Sequence, residues 1–345
     1  MSSAYMTLRI DTTPTGWYIA CRSNDLRRQP VRIVLFGRPF ALFRTVRGKL
    51  GAVEDRCLHR GVPLSMGKIR QERLACPYHG WEYGTDGRVG RIPANPACAL
   101  DDPKFALPAL LTMEQQGFVW VAIGNPVASP VEFAHMGEPG WTSFVMRTPF
   151  RGTVETCLEN FLDCPHATFV HKHWFRAPTN QPVRAVVRTL SDGAQAEYFD
   201  EPRKQSVVWW LLAPVKGSMR HVDRFIAPNT SQVDYQFPNG MHYVITSSCC
   251  PVNIAETVVY TVISFRFPWL GRLVRLFFEP LSRWIIRQDQ RMIEAQQLNL
   301  AHTPACPFLS TEVDLLGRHI SAWRSALLTG APPPLAEDRH VTLHL

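Results

Sequence analysis

Residues 57–79 read CLHRGVPLSMGKIRQERLACPYH. The stretch contains Cys57-x-His59, sixteen intervening residues, and then Cys76-x-x-His79. Each short pair puts a thiolate and an imidazole at the tip of one loop. Two such loops facing each other supply two cysteines and two histidines, a set that either a zinc ion or a [2Fe–2S] cluster can use. Zinc fingers pair cysteine with cysteine and histidine with histidine along the chain. Here each loop gives one of each, which suits a cluster in which one iron takes both thiolates and the other both imidazoles. The soft thiolates hold the ferric iron, and the neutral imidazoles raise the reduction potential.

Around these loops the chain reads as strands. GWYIACRS (16–23), VRIVLFGR (31–38), FALFRTV (40–46), GAVED (51–55) and GFVWVAIGNP (117–126) are short, rich in β-branched and aromatic residues, and bounded by turn formers. Residues 1–125 are expected to form a small all-β domain, followed by a Pro- and Gly-interrupted linker to about residue 150. Residues 151–345 look mixed. VETCLENFLDC (154–164) has helical periodicity, and strands are expected at 183–190, 206–213, 222–227, 242–248 and 257–265. A long amphipathic stretch over 269–301 contains Pro280, which should kink or break it, and a last helix is expected over 312–328. The fold class is α+β, an all-β domain followed by a helix-flanked antiparallel sheet.

Composition narrows the classes further. The 345 residues are 46% hydrophobic and 19% charged, a globular balance that excludes a disordered chain. No apolar run reaches membrane-spanning length, so no stable membrane insertion is expected. The N-terminal residues lack a basic segment followed by an apolar one, and the nine cysteines show no disulfide-like spacing. Together these predict a cytoplasmic protein. Residues 1–100 have a formal balance of +9 and the remainder −1. A basic first domain favours an acidic partner. No nucleic-acid-binding signature accompanies it, so no nucleic-acid partner is expected.

A second constellation lies at 159–171, ENFLDCPHATFVH, with Asn160, Asp163, His166 and His171. Asn160 and Asp163 share a helix face, and Pro165 should end the helix about there. His166 and His171 are then free to converge beyond it. Two histidines and one carboxylate on one face of Fe(II) leave open positions for O₂ and substrate.

On these residues the chain resembles the Rieske non-haem iron oxygenases. Residues 51–94, with CPYHGWEY and the later RIPA, resemble the Rieske segment, and NFLDCPHATFVH resembles the iron motif. Rieske proteins of respiratory complexes have an extra cysteine in each loop, whereas Val62 and Tyr78 stand at those positions here. The chain's length and motifs resemble the homotrimeric monooxygenase and demethylase branch more than the larger ring-dihydroxylating subunits.

The resemblance implies a [2Fe–2S] cluster on Cys57, His59, Cys76 and His79, and a mononuclear Fe(II) on His166, His171 and a carboxylate from a downstream helix. In QDQRMIE that carboxylate is Asp289, with Glu294 as the alternative. Asp163 is implied as a bridge between His79 of one subunit and His166 of its neighbour in a homotrimer, with Asn160 beside it. Electrons are implied to come from NAD(P)H only indirectly, through a flavin reductase or ferredoxin. The implied reaction hydroxylates or oxidatively demethylates a small apolar or aromatic substrate with O₂. Cis-dihydroxylation or desaturation is the alternative within the family, and an electron carrier without oxygenase activity is the alternative outside it. Trp209, Trp210, Phe237, Met241 and Tyr243 are candidates for an apolar pocket wall, and Asn239 and His242 for orienting a polar group.

Overall fold

The computed structural model describes residues 13–171, 181–199, 201, 219–267, 271–303, 308–332 and 338–344. The chain divides into two units after Pro130, and the hairpin tip Val252–Ile254 belongs with the first.

The described part of the first unit contains strands β1 (Gly16–Arg22), β2 (Val31–Leu35), β3 (Arg38–Arg44), β4 (Leu50–Glu54), β5 (Lys68–Arg70), β6 (Arg73–Ala75), β7 (Glu82–Tyr83), β8 (Val89–Arg91), β9 (Ala109–Leu110), β10 (Thr112–Gln115) and β11 (Phe118–Ile123). They form three antiparallel sheets, ordered β1-β11-β10, β2-β3-β4-β9 and β5-β6-β7-β8. The last sheet positions the metal-binding loops. Its β6–β7 hairpin pairs Ala75 with Glu82, so Cys76–Trp81 project from the end of the ladder. Cys57 and Cys76 are both buried in a core with Phe43, Leu64, Leu74 and Tyr83. Burying such apolar side chains contributes about 1.5–3 kcal/mol each, which is what fixes the two loops against each other.

The second unit is built on one eight-stranded antiparallel sheet. Its strands are β12 (Thr142–Phe150), β13 (Pro182–Leu190), β14 (Gly193–Phe199), β15 (Arg220–Ile226), β16 (Thr230–Gln236), β17 (His242–Asn253), β18 (Glu256–Arg266) and β19 (Asp338–His344), in the order β12-β18-β17-β16-β15-β14-β13-β19. The described helices are α1 (Val154–Leu162), α2 (His166–Phe169), α3 (Gly271–His302) and α4 (Gly317–Thr329). Val154, Cys157, Leu158 and Leu162 of α1 pack with Ile320 and Trp323 of α4 onto Val183, Ala196 and Phe225 of the sheet.

Several elements differ from their sequence reading. Residues 142–150, expected within the linker, form β12, paired along its whole length with β18. Pro149 falls on this strand at the sheet's edge, where a missing N–H is tolerated. Helix α3 runs without interruption through Pro280. The carbonyl that loses its donor belongs to Leu276, on an exposed turn where solvent can satisfy it. The strand expected over 206–213 lies outside the described residues.

Candidate functional site

The two loops of the first unit are built alike. Cys57 N–H donates to the Val62 carbonyl at 2.9 Å, and Gly61 N–H donates back to the Cys57 carbonyl at 2.9 Å. Cys76 N–H donates to the Trp81 carbonyl at 2.8 Å, and Gly80 N–H to the Cys76 carbonyl at 3.2 Å. Each turn closes on a glycine with positive φ, +73° at Gly61 and +71° at Gly80, a conformation that a Cβ resists.

The His59 and His79 rings meet edge to face with centroids 4.5 Å apart. Trp81 stacks flat on His59 at 5.1 Å, within 4° of parallel. His59 Nδ1 is buried with no hydrogen-bond partner, as a ligand nitrogen would be. Burial, then the neighbouring His79, pushes the His59 pKa down and keeps the ring neutral and able to coordinate. Burial also raises the Cys76 thiol, helped by the adjacent Cys57. Two thiols crowded in a buried core favour a cation that removes both protons.

One thiolate and one imidazole per loop fits two bridged irons better than one tetrahedral zinc. Tyr83, unremarked in the sequence reading, completes the site. Its Oη accepts from Leu58 N–H at 2.9 Å and lies 3.2 Å from Cys57 Sγ, to which its proton can be donated once the sulfur is a metal-bound thiolate. Burial, then Cys57, raises the phenol's pKa and keeps that proton in place. Arg70 and Arg73 lie 3.6 and 3.9 Å from the buried Glu82 carboxylate.

In the second unit, His166, His171 and Asp289 converge with one ligand atom each inside 4.8 Å. Their placement starts at α1, where the Thr153 side chain caps the first turn by accepting from Thr156 N–H at 3.0 Å. The helix ends at Leu162, and Pro165 opens α2, so His166 heads one short turn and His171 follows it. Asp289 comes from the inward face of α3.

The tautomers are set from behind. His166 Nδ1–H donates to the main-chain carbonyl of Asp163. His171 Nδ1–H donates to Gln288 Oε1 at 2.7 Å. Both Nε2 atoms therefore present lone pairs, 3.4 Å apart. Asp289 Oδ1 lies 3.1 Å from one and 3.5 Å from the other, and no donor reaches it. Burial works to raise the Asp289 pKa, but positive charge on the imidazole side holds it down at about 2, so the carboxylate is ionised when a cationic centre, whether imidazole protons or a metal ion, lies between the three groups. Three electron-rich atoms this close repel one another unless a cation sits among them. The donor set and its open side fit Fe(II).

Glu294, the alternative ligand, instead pairs with Arg151 at 2.6 Å. Asp163 keeps its carboxylate 4.0 Å from His166 Nδ1 and 43% exposed, so its carbonyl, not its carboxylate, holds the imidazole. Asn160 Nδ2 is buried without a partner.

Beside the triad lies a cavity with about 780 Å³ of non-atom space, open solvent included. Met146, Phe161, Val233, Ile245, Ile263 and Ile286 give it apolar walls. Asn160, Tyr235, Tyr243 and the hydrogen-bonded pair Ser247–Thr261, with 2.9 Å between hydroxyls, give it polar points. No lysine or arginine lines it among the described residues.

Of the expected pocket residues that are described, only Tyr243 is on this wall. Phe237 and Met241 pack in the same apolar cluster as Tyr243 without lining the cavity. Asn239 accepts from Met241 N–H within its own turn. His242 turns its Nε2 to Asp234 at 2.7 Å and its ring to Trp141. For His242 the reason is register. On β17 the odd residues 243, 245 and 247 face the cavity, and the even ones face away. Trp209 and Trp210 lie outside the described residues.

Comparison with known proteins agrees with this geometry. Residues 16–110 match the Rieske [2Fe-2S] domain, and residues 150–329 match the vanillate O-demethylase oxygenase C-terminal domain. The chain is 34% identical to aminopyrrolnitrin oxygenase PrnD of Pseudomonas fluorescens, over 73% of this chain and 74% of that one. It is 26% identical to the chloroplastic chlorophyllide a oxygenase of Arabidopsis thaliana over 91% of its own length, and spans 58% of that protein. Its fold is shared with Pseudomonas putida CBB5 NdmA, solved with caffeine, at a TM-score of 0.76 and 20% identity over 91% of this chain and 90% of that one. The chain belongs to the Rieske oxygenases, a Rieske domain joined to a catalytic domain of the vanillate O-demethylase type.

Proposed function

We propose that this chain is the terminal oxygenase of a multicomponent system, working in the cytoplasm, that hydroxylates or oxidatively demethylates a neutral, largely apolar organic substrate. The observation that carries the reading is the buried His166–His171–Asp289 triad opening onto a cavity whose described lining is largely apolar and holds no lysine or arginine. Among the described residues a buried carboxylate substrate would meet no lysine or arginine, which favours an uncharged substrate. With iron on the triad and a [2Fe–2S] group on Cys57, His59, Cys76 and His79, the protein gains O₂ activation at one centre and single-electron supply from the other.

The chain's own residues do the rest. Asp163 and Gln288 hold the two imidazoles in the ligating tautomer. The unpaired Asn160 amide offers a donor beside the triad, and the Ser247–Thr261 pair can orient one polar group of a substrate against the apolar walls. The half-exposed Asp163 carboxylate and the exposed His79 suit the subunit bridge of a homotrimer, with electrons from NAD(P)H arriving through a reductase or ferredoxin. The names of the relatives support an oxygen-incorporating oxidoreductase.

The test is an alanine replacement of His166 or His171 in cluster-loaded protein. The cluster's visible absorption should persist, while substrate-dependent O₂ uptake with an NADH-dependent reductase disappears. Undiminished uptake would remove the triad from the reaction.

A further inference from the structure

Helix α3 has two apolar faces, and the fold uses one. Phe278, Ser282, Asp289 and Ile293 point inward. On the opposite side, at steps of three and four residues, stand Leu273 (55% exposed), Leu276 (67%), Phe277 (78%), Pro280 and Trp284 (41%). Large side chains grouped like this, rather than scattered singly, mark a contact surface. The stripe then turns basic, continuing into the exposed Arg287 and Arg291, for which the described residues supply no ion pair. Arg275 and Arg283 flank it, sharing one carboxylate, Glu279, at 3.2 and 2.8 Å. Arg275, Arg283 and Arg287, with Glu279, also line an open groove against Trp141 and Ser143 beside Leu276.

Exposed Leu, Phe and Trp rimmed by arginine is the composition of a helix lying in a lipid headgroup layer. The excess positive charge complements anionic lipid, and the arginine groove matches phosphate headgroups. A two-fold contact with a second copy of this chain would bring the same arginines face to face. The inner side of the same turns lines the iron cavity through Ser282, Ile285 and Ile286. We infer that the outward face of α3 docks on an anionic membrane surface, peripherally and without crossing it, and that the substrate is a neutral lipophile drawn from that membrane. The substrate clause rests on the oxygenase reading; the docking clause does not.

The test is co-sedimentation of the intact, cluster-loaded protein with phosphatidylcholine vesicles, with and without phosphatidylglycerol. The wild type should sediment with the anionic vesicles only and be released by high salt. L276S/F277S should lower the partition by about tenfold, and R283Q/R287Q by about thirtyfold, both with the cluster's absorption spectrum unchanged. Wild-type protein that stays in solution with anionic vesicles overturns the docking, as does sedimentation unchanged in both variants. Light scattering in which L276S/F277S halves the mass of the wild-type assembly also overturns it, because the face is then an interface between copies. Sedimentation is read without turnover, so a protein that consumes O₂ but does not sediment sinks the docking alone. One that sediments but never couples O₂ uptake to any lipophile sinks the substrate clause alone.

Discussion

Tyr83 shows how much one hydroxyl can tune. Its Oη takes the Leu58 N–H and sits 3.2 Å from Cys57 Sγ, and burial keeps it protonated. A hydrogen bond to a ligand sulfur stabilises the more electron-rich, reduced cluster and so raises its potential. Tyr83→Phe should lower the midpoint by some tens of mV, since about 1.4 kcal/mol of differential stabilisation equals about 59 mV for one electron. A redox titration followed by visible absorption reads this, and an unchanged midpoint would remove Tyr83 from the tuning. At the same scale, Gln288 was readable only as the residue before Asp289. Its value as the acceptor for His171 appears once α3 is docked.

At the scale of the element, β15 places a buried ion cluster in the catalytic sheet. His221 is 1% exposed, with Glu201 2.8 Å from Nδ1 and Asp223 2.9 Å from Nε2. The rings of Tyr198 and Tyr235 stack on its two sides at 4.4 and 4.3 Å. Burial disfavours the imidazolium, but Asp223 and Glu201 overcome it and raise the pKa from 6.5 to about 9. A pKa raised on folding adds stability that is fully present below the ordinary value and disappears as pH rises through the folded one. Denaturant midpoints should therefore fall between about pH 6.5 and about pH 9. His221→Ala, which leaves two buried carboxylates uncompensated, should cost about 3–5 kcal/mol and flatten that pH dependence. A mutant as stable as the parent would contradict the clamp. The sequence shows a His-x-Asp here, but stacked tyrosines from β14 and β16 are needed to bury it.

For the whole molecule, two separate centres predict a metal count. Fully loaded protein should contain about three irons per chain, two in the cluster and one on the triad. A chelator should strip the triad first, because its three ligands leave open positions. The cluster's two buried cysteines should keep their irons and the visible spectrum. Iron analysis that finds zinc, or loss of the cluster's spectrum in step with the first iron, would overturn the two-centre reading.

The cluster loops and the histidines of the second centre were legible in the residues because their ligands lie close together along the chain. Cys57-x-His59, Cys76-x-x-His79 and His166-x₄-His171 are set by single turns, closed by Gly61 and Gly80 in one unit and redirected by Pro165 in the other. The composition of β11, β13 and β18 likewise announced strands, since β-branched runs suit a pleated surface. What only the tertiary structure decided depends on register and docking. The choice of Asp289 over Glu294 follows from which face of α3 turns inward. That Tyr243, Ile245 and Ser247, and not His242, line the cavity follows from a pairing in which a shift of one residue exchanges the two faces of β17. No local spacing encodes that shift, because it is set by which side of the sheet the helices cover.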